Sequence, residues 1–295
     1  MNPIVDEQVE ANGLRFAVSR CGDGDRLALC LHGFPECRYS WRHQLPLLAR
    51  LGYRAWAPDL RGYGGSERPV GRQHYALEKL LDDVTGLIDA AGAREVVLLA
   101  HDWGAIIAWF YAMRKARPLD GLVIMNVPHP AAAREAAGWR QRLRSWYMLF
   151  FQLPWLPELL LRSRPVGKLF HDTAVHKERF GPEVQAIYTE NARIPGAAKA
   201  MIDYYRGLLS GGGWKRQEAL GMPRIDVRTL MLWGEQDIAL GKETTLGTAR
   251  YVSDLTLRYL PDASHWVQQD EPDMVNAMLE AWLRGAPVPE ASQLA

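Results

Sequence analysis

Three short stretches of this sequence hold residues that could act together on a substrate. In Ala100-His101-Asp102-Trp103-Gly104 an aspartate stands at the centre, with small residues two positions before and two after it. It follows the apolar run Val96 to Leu99 and precedes a stretch of helical character, 105–115. A tight turn from strand to helix leaves no room for flanking side chains. It thrusts its middle residue outward, with the helix N-terminus beneath it. A carboxylate placed there is ionised at neutral pH and can attack saturated carbon with no base to activate it. The same residue could instead simply cap the helix, which aspartate does readily. Downstream, Ser264-His265-Trp266 offers a histidine that could draw a proton from water, and Trp233-Gly234-Glu235-Gln236-Asp237 offers an acid to orient it. Asp237 is the expected acid, with Glu235 as its near competitor. The other position for an acid, after the run ending at Met125, holds Asn126, which cannot ionise.

These residues need a frame, and the apolar runs supply one. Leu27 to Leu31, Arg54 to Pro58, Val96 to Ala100, Leu122 to Met125, Thr229 to Trp233 and Leu255 to Leu260 read as strands separated by helix-length segments. Leu77 to Ala91 is the clearest helix, apolar at helical spacing and acidic on its other face. Strands that are apolar throughout and alternate with helices predict a mostly parallel sheet with helices on both faces. Asp102, Asp237 and His265 each follow a strand. Their chain order, nucleophile then acid then histidine, is that of an α/β-hydrolase fold. In that fold the loop after the first parallel strand supplies one N–H of an oxyanion hole, and the residue after the nucleophile supplies the other. Here those are the backbone N–H groups of Phe34, in His32-Gly33-Phe34-Pro35-Glu36, and of Trp103. The plain alternative for the first is an ordinary Gly-Pro turn.

After Asn126 the strand rhythm stops. Residues from about Pro130 to Gly221 read as helical, rich in aromatics, Arg and Pro, which predicts a helical cap (130–221) inserted between two parts of one core (1–129 and 222–295). Asn12-Gly13 predicts a hairpin turn near the start, and the tail from Ala286 reads as frayed and dispensable. Lys plus Arg number 35 against 34 Asp plus Glu, so the net charge of +1 gives no reason to expect a nucleic-acid or membrane partner. Three cysteines, Cys21, Cys30 and Cys37, make no disulfide framework and no metal spacing. With no signal-like N-terminus and no membrane span, the expectation is a cytoplasmic protein without metal or cofactor. It acts on a small lipophilic substrate and is compatible with a homodimer.

A resemblance adds to this reading. His32-Gly33-Phe34-Pro35-Glu36, Asp59-Leu60-Arg61-Gly62-Tyr63-Gly64, His101-Asp102-Trp103-Gly104, Asn126-Val127-Pro128-His129-Pro130, Tyr204-Tyr205-Arg206 and Ser264-His265-Trp266 resemble the epoxide hydrolases of the α/β-hydrolase fold, over about residues 8 to 284. The likeness is greatest to the branch holding the mammalian membrane-anchored members, without their anchor. Many relatives have glycine where this chain has Ala105, and a methyl group there should be tolerated. The resemblance implies two cap tyrosines aimed at the epoxide oxygen. The second matches Tyr205, with Tyr204 as its packing neighbour, and the first matches Tyr147. Substrate would then lie against Phe34, Trp103, Tyr147 and Tyr205. The implied reaction takes an epoxide to a vicinal diol through an ester on Asp102, hydrolysed by water that His265 and Asp237 activate.

Either tyrosine could instead be core packing with its hydroxyl on a backbone carbonyl. Cap aromatics such as Trp146, Phe150, Phe151 and Trp155, together with Leu156, pack the cap or line an apolar slot. Haloalkane and haloacid dehalogenases share the elbow and the His-Gly-Phe-Pro loop, and in that reading the Trp103 indole would hold a halide. A non-catalytic binding protein of the same fold would have no need of the triad, and an esterase is disfavoured by an aspartate nucleophile.

Overall fold

Eight strands form one sheet in the computed structural model, which describes residues 2–136 and 138–294. They are β1 (Val5–Ala11), β2 (Leu14–Cys21), β3 (Arg26–Leu31), β4 (Tyr53–Pro58), β5 (Val96–His101), β6 (Gly121–Met125), β7 (Thr229–Gly234) and β8 (Leu255–Leu260), in the order β1-β2-β4-β3-β5-β6-β7-β8. β1 and β2 form an antiparallel hairpin through Asn12 and Gly13, both with positive φ, and β2 pairs antiparallel with β4. Every pairing from β4 to β8 is parallel.

The helices of the core are α1 (Leu45–Arg50), α2 (Leu77–Ala91) and α3 (Trp103–Arg114). Between β6 and β7 the chain runs through α4 (Pro130–Ala136), α5 (Trp139–Arg144), α6 (Trp146–Phe150), α7 (Leu156–Ser163), α8 (Val166–Thr173), α9 (Pro182–Arg193), α10 (Ala197–Leu208) and α11 (Gly213–Ala219). After β8 come α12 (Val267–Asp270) and α13 (Pro272–Leu283).

The central strands read as continuous apolar runs because both faces of the sheet are covered. On β3 and β5, Leu27, Leu29, Leu31, Leu98 and Ala100 join the apolar cluster that holds Leu80, Val84 and Leu87 of α2 and Ile107 and Phe110 of α3. Their alternates, Ala28, Cys30, Val97 and Leu99, join Leu45 and Leu48 of α1 and Val275, Met278 and Leu279 of α13. Truncating a fully buried leucine such as Leu98 would cost about 2–5 kcal/mol through lost transfer energy and the cavity left behind.

The parallel register sets five strand ends side by side: Leu31 opposite Ala100, His101 opposite Met125, and Gly234 opposite Leu260. The loops leaving those ends carry Phe34, Asp102, Asn126, Asp237 and His265 to one edge of the sheet, where open α/β sheets bind ligands.

One expectation fails. The segment after Ala286 is not frayed: the Arg258 guanidinium on β8 donates to the carbonyl oxygens of Val288 (2.8 Å) and Pro289 (3.2 Å), and Val288 and Ala291 are buried. Composition alone could not show that a distant arginine ties these carbonyls down.

Candidate active site

Asp102 lies between β5 and α3 with φ 45° and ψ −118°, a conformation that costs an ordinary residue on the order of 1–3 kcal/mol and persists only where neighbours enforce it. They do so by close approach. A Cβ on Gly104 would fall 2.6 Å from the Leu31 carbonyl carbon and 2.7 Å from the His32 carbonyl oxygen, and one on Gly33 would fall 2.7 Å from Asp102 Oδ1. The turn can therefore press against the loop after β3 only with glycine at both places. Ala105 is fully buried inside α3.

That contact lets the Phe34 N–H donate to Asp102 Oδ1 at 2.6 Å. The preceding peptide is aimed by its own carbonyl. Gly33 O accepts from the Glu36 N–H (3.0 Å) and faces His32 Nδ1 (2.9 Å), while His32 Nε2 accepts from the Leu60 N–H (3.0 Å). His32 is thus a neutral ring with its proton on Nδ1, and burial holds it below the ordinary histidine range. Trp103 is the first residue of α3, so its N–H has no acceptor within the helix.

His265 Nε2 lies 3.5 Å from Asp102 Oδ2, close enough for ion pairing and long for a hydrogen bond. On the far side, His265 Nδ1 meets Asp237 Oδ2 at 2.6 Å. Asp237 is tied at both oxygens: Oδ1 accepts from the N–H groups of Ala239 (2.7 Å) and Leu240 (2.9 Å), and Oδ2 also accepts from Asn126 Nδ2 (2.8 Å). Burial pulls the His265 imidazolium down, but the carboxylates of Asp237 and Asp102 outweigh it and hold its pKa well above the ordinary value. Burial likewise pushes the Asp102 carboxyl up. The nearby His265, His101 and the Phe34 N–H outweigh that and hold it below the usual range. Glu235, the competing acid, pairs instead with Lys242 at 2.7 Å.

Two features escaped the sequence reading. Asn126, set aside because it cannot ionise, sits in the left-handed region (φ 48°) and bridges β6 to the loop after β7, bonding Asp237 and the Gly234 N–H (2.9 Å). Its position at a strand end was the one available signal. The second is a buried cluster beneath the site. Both ring nitrogens of His101 face acceptors: Glu36 Oε2 at 2.7 Å and the His265 carbonyl oxygen at 2.8 Å. Glu36 also accepts from the Gly33 N–H (2.8 Å) and from Gln268 and Gln269. Burial would raise its carboxyl, yet the His101 ring beside it holds it below the usual range. One carboxylate thereby ties the loop after β3, the residue before Asp102 and the backbone of His265 together.

The helices between β6 and β7 contribute Tyr147 on α6 and Tyr205 on α10. Their rings lie 6.1 Å apart at 86°, with Tyr205 also edge-on to Phe34 (5.3 Å) and Trp103 (5.0 Å). Among the described residues neither hydroxyl donates to a protein acceptor, although the Trp103 side chain meets the Tyr205 oxygen as a donor, whereas the Tyr204 hydroxyl donates to the Arg61 carbonyl at 2.8 Å. Burial first, then the Asp102 carboxylate, raises the pKa of both Tyr147 and Tyr205, so both phenols keep their protons at neutral pH.

Two cavities meet over Asp102 and share both tyrosines. One, of about 290 Å³, is lined by Phe34, Phe151 and His265 and by the exposed residues Arg144, Trp146, Leu169 and Ile238. The other, of about 380 Å³, runs past Trp103, Phe110 and Trp214. Both linings are mostly apolar. Among the described residues no group of three or more His, Cys, Asp or Glu side chains is placed to hold a metal ion, and no helix is long and apolar enough to cross a membrane.

Known proteins are similar to this chain in sequence and fold. A family model for the alpha/beta hydrolase fold matches residues 29–272. Human epoxide hydrolase 4 is 36% identical over 288 residues, covering 94% of this chain and 78% of that protein. The AB hydrolase superfamily protein YfhM of Bacillus subtilis is 33% identical, covering 96% and 99%. The crystal structure of a Bacillus megaterium epoxide hydrolase in complex with an inhibitor superimposes with a TM-score of 0.86 at 30% identity, covering 94% of this chain and 100% of that one.

Proposed function

The chain belongs to the α/β-hydrolase fold family and, within it, to the epoxide hydrolases, and from that premise we propose a two-step route in which Asp102 opens the epoxide as a nucleophile and His265 releases the resulting ester. Oδ1 of Asp102 is engaged by the Phe34 N–H, which leaves Oδ2 facing the cavity as the attacking atom. Oδ2 bonds to an epoxide carbon as the ring C–O bond breaks. The alkoxide takes its proton from Tyr147 or Tyr205, whose raised pKa values match a strongly basic leaving group.

Esterification removes the negative charge from Asp102. His265 then loses one of the two carboxylates that hold it protonated, its pKa falls, and it becomes a base when the second step needs one. It takes a proton from water attacking Cγ, while Asp237 keeps the ring oriented. The negative charge that develops falls on Oδ1, against the N–H groups of Phe34 and Trp103. The Cγ–Oδ2 bond breaks, the new Cγ hydroxyl gives its proton to the departing oxygen and becomes carboxylate, and the diol leaves carrying Oδ2. The proton that His265 sheds on esterification restores the phenol.

The residues from Pro130 to Gly221 act as a cap over a core made of the rest of the chain, supplying the two phenols and one wall of both cavities. The apolar linings favour a small lipophilic epoxide. Three buried thiols, Cys21, Cys30 and Cys37, all unbonded, suit a reducing compartment such as the cytoplasm.

The observation that carries the reading is the pairing of an elbow aspartate with two phenols whose protons have no protein acceptor. His265→Gln should still be alkylated but should release product slowly, so an adduct of the substrate's mass accumulates on the peptide containing Asp102. Rapid turnover by that variant with no adduct would remove the ester from the route.

A further inference from the structure

We propose that the outer face of α5, α6 and the start of α7 docks on the surface of an anionic phospholipid bilayer. The chain's net charge of +1 conceals a strongly asymmetric segment. From residue 139 to 164 there are five arginines, at 140, 142, 144, 162 and 164, and one acid, Glu158. All five arginines are exposed, and none has a carboxylate partner among the described residues, whereas Glu158 is held by Arg206 at 2.5 Å.

The same segment is aromatic. Trp139 is 68% exposed, Trp146 63% and Trp155 68%. Trp139, Leu143, Trp146 and Leu149 recur at spacings of four, three and three along two nearly continuous helices, so they share one side. The other side is anchored: Gln141 donates to the Ala239 carbonyl (3.0 Å) and accepts from the Gly241 N–H (2.8 Å), which fixes the tryptophan side outward. Single exposed apolar residues are unremarkable, but a contiguous set marks an interaction surface.

Charge decides which partner it fits. A second copy brought to this face by a two-fold axis would oppose arginine to arginine. An anionic bilayer complements them: guanidinium groups reach lipid phosphates while indole rings settle at the headgroup level. The face is also continuous with a cavity mouth, since Arg144 and Trp146 line the cavity that ends at Asp102. A lipophilic molecule dissolved in the bilayer would enter there without crossing water.

Vesicle flotation tests this independently of catalysis. The wild type should bind phosphatidylcholine vesicles containing phosphatidylglycerol and ignore pure phosphatidylcholine, and brominated lipid should quench its tryptophan fluorescence. Reversing two charges, Arg140→Glu with Arg142→Glu, should weaken binding at least about thirtyfold, from roughly fivefold per basic residue at an anionic surface. Trp139→Ser with Trp155→Ser should abolish most of the quenching, with melting temperature and turnover of a water-soluble epoxide unchanged. Absence of binding at low salt, absence of quenching in the wild type, or binding undiminished by the charge reversal would overturn the proposal. So would a wild-type dimer that the reversal dissociates, which would give the face to a second copy. Should a variant fail to fold, quenching of the wild type decides alone.

Discussion

The polar groups on the edge of the sheet and those beneath the cap are held in opposite ways. At the sheet edge, Asp237 has partners on both oxygens, His265 is tied at Nδ1 and through its backbone, and Asp102 Oδ1 is held by a backbone N–H. Under the cap, Tyr147 and Tyr205 are placed by ring packing and neither hydroxyl donates to a protein acceptor among the described residues. The difference follows the charge each region must meet. In ester hydrolysis negative charge develops on one atom of the protein itself, so fixed donors serve every substrate. On the proposed route, ring opening develops it on the substrate instead, at a point that shifts with the carbon attacked, and phenols carried on two different helices can meet it.

Three substitutions put that contrast under strain. The largest effect should come from changing both cap tyrosines to phenylalanine. One oxyanion donor is typically worth about 10²–10³ in rate, and each single change should cost the lower end of that or less because the other phenol compensates. The double change should slow alkylation by more than about 10³ and leave hydrolysis of preformed ester untouched, as pre-steady-state measurement of the two steps would show. A double variant that alkylates at the wild-type rate would reduce the tyrosines to packing and leave a dehalogenase-like chemistry in their place.

Asn126→Ala should act on the other region. Removing a hydrogen bond to a charged group costs about 1.5–3 kcal/mol, so hydrolysis should slow about 10- to 100-fold while alkylation barely changes. Equal slowing of both steps would mean that Asn126 holds the whole sheet edge and not Asp237 alone. The smallest effect belongs to Tyr204→Phe, which loses a bond to the Arg61 carbonyl and should lower stability by about 0.5–1.5 kcal/mol with both rates unchanged. A rate effect there larger than the effect at Tyr205 would exchange the roles of the two neighbours.

The sequence makes positions legible and leaves orientations hidden. Strand ends are marked by apolar runs and small residues, so Asp102, His265 and the loop at Phe34 stand out one by one. Asn126 does not, because its role depends on the alignment of β6 with β7, where Met125 faces Leu232. Tyr204 and Tyr205 are adjacent, and successive residues of a helix point about 100° apart. Only the packing of α10 decides which hydroxyl meets a carbonyl and which meets the cavity. The segment after Ala286 reads as dispensable because the arginine that ties it down lies 30 residues earlier in the chain.

The bond from the Phe34 N–H to Asp102 Oδ1 carries one more consequence. While it holds, the two carboxylate oxygens cannot trade places. Each turnover sends Oδ2 out in the diol and installs a solvent oxygen in its position, while Oδ1 stays. Every product molecule therefore carries the oxygen of the water captured one cycle before, and the enzyme retains an isotopic memory a single turnover deep. Oδ1 would keep the oxygen it received when the chain was made.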